Sequence, residues 1–458
     1  MYMNLDTYFN DLQGKQVLVL GLGVSNRPLV HLLLQYGIFV TGCDRTNREK
    51  LDEEILQFEA RGLKLKLGES YMDDLQGDVV FRTPGIHPLH PSIVSLKNSG
   101  ATITSEMEAF FAVCPCTMIA VTGSDGKTTT TTLIAEMLKQ AGRTTWVGGN
   151  IGAPLLPRVA EMKPEDVAVV ELSSFQLLHM TTSPHVAVMT NLAPNHLDVH
   201  KSMEEYVEAK EEIYLHQTAE DVFITNCDND TTKEFFVKAK GKTMGFSRKI
   251  RPESGVYLED GAVYATDGTE ILKQSDIFLP GIHNVENYMA AICAVEGLVS
   301  KADIVHVAKH FGGVEHRIEL VRVKDGVRYY NDSIASSPSR TLAGLRSFDQ
   351  KIILIAGGYD KHIPYDVLGP EIVEHVKTLV LTGATAPLIK EAVLKAEGYA
   401  PGKLEILEIG EFYDSIRTAS SVATDGDVVM LSPASASFDL FRNFMIRGQA
   451  FKKTVMEL

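Results

Sequence analysis

The sequence is poor in cysteine and has no long uncharged apolar run. Its 5 cysteines are odd in number and scattered, which is typical of a reducing compartment. Cys114-Pro-Cys116 has no matching pair elsewhere, so we expect no metal site there. No window of about 18 uncharged apolar residues occurs, so we expect no membrane span. The opening MYMNLDTYFND carries acids without an apolar core, which argues against a signal peptide and favours a cytoplasmic protein.

The chain also has no excess of positive charge. Its net charge of −15 argues against a general nucleic-acid or anionic-membrane surface. Any bound phosphate would therefore be met by local Lys, Arg, Mg²⁺ and backbone dipoles. The hydrophobic content of 45% supports packed cores. The length of 458 residues suggests about three domains, because a single core rarely grows past ~250 residues.

A glycine-rich turn joins a predicted strand to a predicted helix near residue 120. Residues 118–121 are apolar and predict a buried strand, and the apolar spacing of residues 133–141 predicts a helix. Gly123 and Gly126 lie in the turn and would let backbone N–H groups point at an anion. The helix N-terminus adds a partial positive charge. This arrangement favours a phosphate site.

Side chains that follow the turn fit the same interpretation. Lys127 would reach the terminal phosphates of a nucleotide, and a hydroxyl of Thr128 or Thr129 would hold Mg²⁺. Val121 stands where the usual pattern has a further glycine, so a turn without a ligand is the alternative. We expect a nucleoside triphosphate site that comprises Gly123, Ser124, Asp125, Gly126, Lys127, Thr128 and Thr129.

The first hundred residues open with a second glycine turn after a strand. Residues 16–20 predict the strand, and the turn Gly21-Leu22-Gly23 precedes a helical pattern. Asp44 lies about 20 residues further on, where a ribose-binding acid is expected. Asn26 replaces the third glycine of the dinucleotide pattern, so a related fold that holds another nucleotide is favoured over an NAD site. A purely structural turn remains an alternative. Downstream, Glu106 and Glu108 are expected to be solvated helix charges.

Polar residues at the predicted strand ends of the middle region are metal or proton-transfer candidates. Glu171 ends an apolar strand beside the glycine turn, where Mg²⁺ would need a carboxylate. His196, Asp198 and His200 share one loop and would suit a second metal or a proton-handling site. A helix-terminal role for Glu171 and a merely satisfied polar role for His200 are the alternatives. Lys210 lies among glutamates and by pattern alone belongs to a solvated helix face.

The remaining candidates lie near and beyond residue 280. Asn284 and Asn287 share a helix face and would bind a base, although helix capping by Asn284 explains the pattern equally well. After Gly313 a further α/β pattern begins. Its strand-end loops carry Lys361 and several hydroxyls, which would suit a small anionic substrate. Ordinary turn chemistry is the alternative.

Taken in order, these segments resemble the Mur ligases over nearly the whole chain. The matching segments are VTGSDGKTTT, GGNIG, ELSSFQL, NLAPNHLDVH, LPGIHNVEN, EHRIE, NDSIASS and LSPASASFDLF. The resemblance implies an α/β chain of three domains: residues 1–109 Rossmann-like, 110–313 a P-loop ATPase-like parallel sheet, and 314–458 Rossmann-like. It implies an ATP- and Mg²⁺-dependent ligase that adds D-glutamate to UDP-N-acetylmuramoyl-L-alanine through an acyl phosphate. Such an enzyme serves peptidoglycan precursor synthesis, and we expect a monomer.

The resemblance also assigns roles to residues. Lys127, His196 and Lys210 would be catalytic. ATP would contact the glycine turn together with Asn284, Asn287, Arg317 and Asp332. The metal ligands would be Thr128, Glu171, His196 and Lys210, the last if carbamylated. The UDP substrate would contact Gly23, Val24, Ser25, Asp44, Arg45, Thr46, Gly85, Asn150, Ser173 and Ser174. D-Glutamate would contact Ser336, Lys361, Ser437 and Phe444.

The chain departs from the family pattern at three places. Ile334 stands where Lys is frequent, Ser336 where Thr is common, and Arg45-Thr46 reverses the usual order. These changes bear on the uracil and glutamate contacts. Three rival functions remain: an NAD-dependent oxidoreductase, a P-loop signalling protein, and a related amide ligase such as folylpolyglutamate synthase. A folylpolyglutamate synthase would not need the first domain. A P-loop signalling protein would not need the C-terminal domain.

Overall fold

The computed structural model describes residues 3–23, 25–178, 180–193 and 202–458. Its contacts define two compact units, Met1–Asp276 with Val285–Val307 and Ile277–Asn284 with Ala308–Leu458. Within the described residues the strands form three sheets, of five, nine and six strands. The first two sheets belong to the first unit and the third sheet to the second unit. Among the described residues, no helix has the length and apolar character that crossing a bilayer requires.

The first sheet is parallel throughout. Its strands are β1 Val17–Leu20, β2 Val40–Asp44, β3 Lys64–Leu67, β4 Val79–Arg82 and β5 Thr102–Thr104. They lie in the order β3-β2-β1-β4-β5. The helices of this region are α1 Leu5–Asn10, α2 Asn26–Gln35, α3 Glu53–Ala60, α4 Pro91–Asn98 and α5 Glu106–Val113. The strand order reverses direction at β1, so the loop after β1 lies where open α/β sheets bind ligands.

The second sheet is parallel except for a hairpin edge. Its strands are β6 Thr117–Thr122, β7 Thr145–Gly149, β8 Val167–Glu171, β9 Val186–Met189, β10 Val222–Asn226, β11 Lys242–Ser247, β12 Gly255–Glu259, β13 Ala262–Ala265 and β14 Glu270–Lys273. Their order is β14-β13-β12-β11-β10-β9-β6-β8-β7, and the pairs that involve β13 are antiparallel. The helices that follow are α6 Lys127–Gln140, α7 Ser174–Leu177, α8 Met203–Leu215, α9 Ile282–Ala294 and α10 Lys301–His310.

The third sheet begins with an antiparallel pair and continues as parallel strands. Its strands are β15 Glu319–Lys324, β16 Val327–Asn331, β17 Ile352–Ala356, β18 Val376–Leu381, β19 Glu405–Glu408 and β20 Val428–Leu431. The order β15-β16-β20-β17-β18-β19 places β20 between β16 and β17. Its helices are α11 Pro338–Leu345, α12 Leu368–His375, α13 Ala386–Lys395, α14 Phe412–Ser421 and α15 Phe444–Glu457. The loops that follow β16, β20 and β17 therefore share one sheet edge.

The α/β class predicted from the sequence is confirmed. The strands β8 and β17 are buried at every position, as parallel strands covered on both faces require. The apolar residues that follow Gly37 would favour a strand over residues 38–41, but the observed strand runs from Val40 to Asp44, because pairing with β1 starts at Val40 and Phe39 is 76% exposed. Asp44 consequently ends this strand rather than following it. The domain boundaries at 109/110 and 313/314 stay predictions.

The environment of α5 corrects one expectation. The solvated position predicted for Glu106 is wrong, because α5 lies in the apolar core that the first two sheets share, and Glu106 is only 7% exposed. No hydrogen-bond partner for its Oε1 atom exists among the described residues. Burial raises the pKa of Glu106 from 4.5 to about 7, opposed by a hydrogen bond from the Leu156 amide. The neighbouring Glu108 is half-buried and accepts hydrogen bonds from Thr181.

Replacing Glu106 with glutamine is expected to stabilise the protein at pH 8. The folded protein binds the Glu106 proton more tightly than the unfolded chain, so stability falls as pH rises from about 4.5 to 7. Glutamine does not ionise, and its gain at pH 8 is on the order of 3 kcal/mol in the free energy of unfolding. Urea unfolding at pH 5 and pH 8 measures this difference. The exposed Glu253→Gln variant is the control, and a variant Glu106→Gln that is less stable than wild type at pH 8 contradicts the prediction.

Candidate functional site

The glycine turn of the second sheet has the geometry of an anion-binding loop. It runs from the end of β6 to the first residue of α6, Lys127. Gly123 and Gly126 have φ angles of 149° and 77°. A Cβ at Gly123 would lie 1.9 Å from Thr190 Oγ1, and one at Gly126 would lie 2.3 Å from Asn287 Oδ1. Both positions therefore require glycine, and the turn presents the first amides of α6 at a helix N-terminus.

The segment after β9 fixes this turn. The Ser124 amide donates to the Asn191 carbonyl over 3.0 Å, and the Asp125 amide donates to Asn191 Oδ1 over 2.9 Å. The Ser124 hydroxyl donates to the Ala193 carbonyl over 2.8 Å, and the Thr190 hydroxyl donates to the Asp125 carbonyl over 2.6 Å. Because the amides of Ser124 and Asp125 already have protein acceptors, anion contacts of this turn fall to the amides from Gly126 onward.

Two lysine ammonium groups converge on one carbonyl of the turn. Lys127 Nζ donates to the carbonyls of Gly123 and Ser124 over 2.9 and 2.8 Å. Lys210 Nζ donates to the same Gly123 carbonyl over 2.8 Å and to the Thr122 hydroxyl over 3.0 Å. The two charges therefore concentrate positive potential where a phosphate is expected. Thr128 and Thr129 follow in the first turn of α6 and are buried.

The position of Lys210 corrects its interpretation from the helical pattern alone. That pattern predicts a solvated face, but Lys210 is 1% exposed, and its Nζ atom lies 5.0 Å from the centroid of the Tyr206 ring. Burial, aided by the charge of Lys127, lowers the pKa of Lys210 well below its ordinary value, against the opposing charge of Glu171. The amine is thus more readily deprotonated than an exposed lysine, and a neutral amine is the form that reacts with electrophiles.

Glu171 ends β8, the strand that pairs with β6 beside the glycine turn. Its Oε1 accepts from Asn150 Nδ2 over 2.8 Å, and its buried Oε2 has no hydrogen-bond partner among the described residues. An orphaned carboxylate oxygen suits Mg²⁺, which is often bound by one or two carboxylates together with phosphates and water. No cluster of three His, Cys, Asp or Glu side chains that could hold a metal occurs within the described ranges. His196, the remaining predicted ligand, lies outside the described residues, as does Val24.

The predicted UDP-binding residues gather along the edge where β1, β2 and β4 end. The Asp44 carboxylate accepts from the amides of Leu22 and Thr46 over 2.7 and 2.8 Å. Burial alone would raise the pKa of Asp44, but these hydrogen bonds outweigh it and the pKa is lowered. Asp44 thus holds the turn after β1 in shape. The remaining residues of this group on the first sheet are exposed, namely Gly23, Ser25, Arg45, Thr46 and Gly85.

A narrow cleft of about 30 Å³ joins this edge to the second sheet. Ser25 and Pro84 line it from the first sheet, and Gly149 and Gln176 line it from the second. Asn150 follows Gly149 in the chain, and its side chain donates to Glu171 Oε1 over 2.8 Å. The cleft thus places Ser25 near Pro84, which precedes the predicted contact Gly85, and near Gly149, which precedes the predicted contact Asn150.

Two further predicted substrate contacts, Ser173 and Ser174, lie at the start of α7. The Ser173 hydroxyl forms a reciprocal cap of α7 with Gln176, and Ser174 is buried.

The two predicted base contacts lie on α9. Asn287 accepts a hydrogen bond from the Thr130 hydroxyl over 3.3 Å, which places it against the first turns of α6. Asn284 donates to the Pro280 carbonyl over 2.6 Å. The predicted base contacts of both asparagines stay predictions.

In the second unit, three strand-end loops meet around the predicted D-glutamate residues. The Tyr359 amide donates to the Ala436 carbonyl over 2.9 Å, which joins the loop after β17 to the loop after β20. Lys361 Nζ lies 5.6 Å from the Phe438 ring in the latter loop. Ser437 is buried, whereas Ser336 and Phe444 are half-buried.

Arg447 on α15 connects these loops and was not identified from the sequence. Its guanidinium donates to the Ser333 hydroxyl and carbonyl and to the carbonyls of Ser435 and Ala436, over 2.9 to 3.1 Å. Burial lowers the pKa of Arg447 to about 10, opposed by the charge of Asp439. The available signal was its spacing, because Arg447 lies on the buried face of α15 with Phe451 and Val455.

Arg317 and Asp332 lie near one another in the same unit. Asp332 is buried, and its carboxylate accepts from the Ser432 hydroxyl over 2.7 Å and from the Ile318 amide over 3.3 Å. Burial raises the pKa of Asp332 to about 7, opposed by the Ser432 hydrogen bond and the charge of Arg317. The Arg317 Nε atom has no hydrogen-bond partner among the described residues. This donor and this acceptor are the groups that phosphate and ribose would need.

Comparison with known proteins identifies the family. Residues 121–295 match the Mur ligase middle domain, and residues 316–435 match the Mur ligase, glutamate ligase domain. The UDP-N-acetylmuramoylalanine–D-glutamate ligase of Acetivibrio thermocellus is 53% identical over 462 residues, covering 99% of each chain. The enzyme of the same name from Clostridium novyi is 50% identical over 448 residues, covering 98% of each.

Solved structures with low sequence identity share the fold. The UDP-N-acetylmuramate-alanine ligase MurC from Thermotoga maritima has a TM-score of 0.60 at 18% identity, over 97% of this chain and 99% of that one. MurF from Acinetobacter baumannii has a TM-score of 0.58 at 17% identity, over 97% of this chain and 91% of that one. The full-length identity to the curated relatives and the two matching domains lead to one conclusion: the chain belongs to the Mur ligase family.

Proposed function

We propose that the chain joins D-glutamate to UDP-N-acetylmuramoyl-L-alanine in an ATP-dependent reaction of peptidoglycan precursor synthesis. The relatives named UDP-N-acetylmuramoylalanine–D-glutamate ligase share about half of their residues with this chain and match it over nearly its whole length. The structural observation that carries the proposal is the convergence of Lys127 and Lys210 on the Gly123 carbonyl at a helix N-terminus. A site of this charge suits transfer of a phosphoryl group to a carboxylate, which gives an acyl phosphate that an amine then attacks.

The residues of the glycine turn would stabilise the charge of the transferred group. The Lys127 ammonium would exchange its carbonyl partners for phosphate oxygens, and the amides of Gly126 to Thr129 would surround the remaining oxygens. Asn287 would contact the base, and Arg317 and Asp332 would contact phosphate and ribose. The orphaned Oε2 atom of Glu171 supports a metal at this site. Glu171, Thr128, His196 and a carbamylated Lys210 would hold Mg²⁺, which supplies positive charge beside the phosphates.

The two substrates would occupy separate sheet edges. The turn after β1 and the loop after β4 would suit a nucleoside diphosphate. The residues that border them are Gly23, Ser25, Asp44 and Gly85. D-Glutamate would contact Ser336, Lys361, Ser437 and Phe444. The buried Arg447 guanidinium adds positive charge to these loops, which would favour an amino acid with two carboxylates. The cytoplasmic location and the monomeric state stay predictions.

A phosphate-release screen tests this function. ATP and UDP-N-acetylmuramoyl-L-alanine are incubated with the protein and a panel of D- and L-amino acids. We expect phosphate release to depend on the nucleotide sugar and to be highest with D-glutamate. A preference for L-lysine or diaminopimelate would assign the chain to a different step of the same family. Turnover with a folate substrate, or NAD reduction without ATP, would support the rival functions and overturn the proposal.

A further inference from the structure

The segment Cys114-Pro-Cys116 has no role in the proposed ligase chemistry. It forms the whole link between the end of α5 at Val113 and the start of β6 at Thr117. The Cys114 amide donates to the Phe110 carbonyl over 2.9 Å and so closes the last turn of α5. Neither sulfur belongs to the phosphate loop or to the strand-end loops described above. The segment is therefore a separate chemical feature of the first unit.

The two sulfur atoms of this segment already face each other. The distance between Cys114 Sγ and Cys116 Sγ is 3.5 Å. A disulfide has an S–S distance of about 2.05 Å, so bond formation requires an approach of roughly 1.5 Å. Both side chains are buried in the apolar core, which fixes their orientation. Among the described residues, no other two cysteine sulfurs are in hydrogen-bonding contact.

The hydrogen bond between the two thiols gives them different reactivities. The contact with Cys116 lowers the pKa of Cys114, against the effect of burial. The same contact, together with burial, raises the pKa of Cys116. Cys43 and Cys227 differ from Cys114, because burial raises the pKa of each to about 11. Since the thiolate is the reactive form, the direction of these pKa shifts favours Cys114 as the nucleophile and Cys116 as the resolving thiol.

We propose that Cys114 and Cys116 form a redox-active dithiol, which a peroxide converts reversibly to an intramolecular disulfide. The Cys114 thiolate attacks one peroxide oxygen, the O–O bond breaks, and a sulfenic acid forms as hydroxide leaves and takes the proton that Cys114 has lost. The Cys116 sulfur then attacks the sulfenic sulfur, the S–O bond breaks, and water leaves with the thiol proton. The two thiols lose two electrons, and one peroxide becomes two waters.

The flanking structure explains why the product would be easily reduced. The strand β6 is paired with β8 from its first residue, Thr117, and with β9 from Ile119 onward, so the start of the strand has little freedom to move. Closure must therefore be absorbed by Pro115 and the end of α5. A disulfide closed under such constraint is strained, and strained disulfides are reduced more readily than relaxed ones. The pair is thus suited to reversible oxidation rather than to a permanent cross-link.

Mass spectrometry of the native wild-type protein tests the proposal without any variant. The protein is treated with hydrogen peroxide, free thiols are alkylated, and the peptide that contains both cysteines is isolated. We expect this peptide to be unalkylated and about 2 Da lighter than its fully reduced form. Dithiothreitol is expected to restore two alkylatable thiols. Circular dichroism before and after oxidation confirms that the folded protein reacted.

Two variants and a matched control sharpen the experiment. Cys114→Ala and Cys116→Ala should each abolish the mass loss, whereas Cys43→Ala should leave it intact. The proposal is overturned if Cys114 gains about 32 or 48 Da while Cys116 stays alkylatable, or if both thiols stay reduced under peroxide that oxidises another cysteine. A cross-link between two chains in place of the internal bond overturns it as well. These readouts do not depend on ligase activity, so they stand apart from the proposed function.

Discussion

Replacing Lys127 with methionine is expected to lower ATP-dependent phosphate release by about 10³-fold, the scale for loss of one donor to developing charge. The reason is the position of the ammonium group, which is held over the turn by the carbonyls of Gly123 and Ser124. Methionine keeps the length of the side chain and removes only its charge and donors. Steady-state phosphate release with saturating amino acid and nucleotide sugar measures the effect.

The same helix offers a matched control for Lys127. Lys139 is exposed in the last turn of α6 and pairs with Glu136 over 2.8 Å. Lys139→Met removes an equal charge from the same helix and should leave turnover within about twofold, because an exposed ion pair contributes little. If both variants kept wild-type turnover, the glycine turn would not be the site of phosphoryl transfer.

Replacing Lys210 with methionine is expected to lower turnover by about 10²-fold and to remove a carbamate from the protein. Burial lowers the pKa of this amine well below its ordinary value, which favours loss of its proton, and a neutral amine adds carbon dioxide to give a carboxylate that suits a cation. The measurement is ¹³C NMR of wild-type protein in labelled bicarbonate. We expect a carbamate signal that declines as pH is lowered, because protonation removes the lone pair that attacks carbon dioxide.

A control for Lys210 comes from an exposed lysine of the same unit. Lys233 pairs with Asp230 at the surface, and Lys233→Met should keep both the carbamate signal and the turnover. If the wild-type protein showed no carbamate signal and its activity did not depend on bicarbonate, Lys210 would be an unmodified amine. In that case the metal would lack one of its four proposed ligands.

The features that the sequence predicted well are those encoded within a few residues. The buried strand 118–121, the turn with Gly123 and Gly126, and the helix that follows were all evident, because apolar runs and glycines report local geometry directly. The observed strand extends only one residue further at each end, from Thr117 to Thr122. The three α/β sheets followed from repeated apolar strands in the same way.

The features that the sequence did not predict depend on contacts between distant segments. Lys210 is buried because the turn at Thr122 and Gly123 covers it, and no window on α8 contains that information. Glu106 is buried because α5 lies within a core shared by two sheets. Family resemblance, rather than pattern, assigned Lys210 its role. It assigned none to Arg447, whose carbonyl partners lie in two loops, one 114 residues away at Ser333 and one 12 residues away at Ser435.

The attachment of the glycine turn to Asn191 has a consequence for nucleotide affinity. Because the main chain of Ser124 and Asp125 is immobilised by Asn191 before any ligand arrives, the ordering entropy of this turn is lost when the chain folds and not when ATP binds. Weakening that attachment at Asn191 would therefore transfer the entropic cost to the association step.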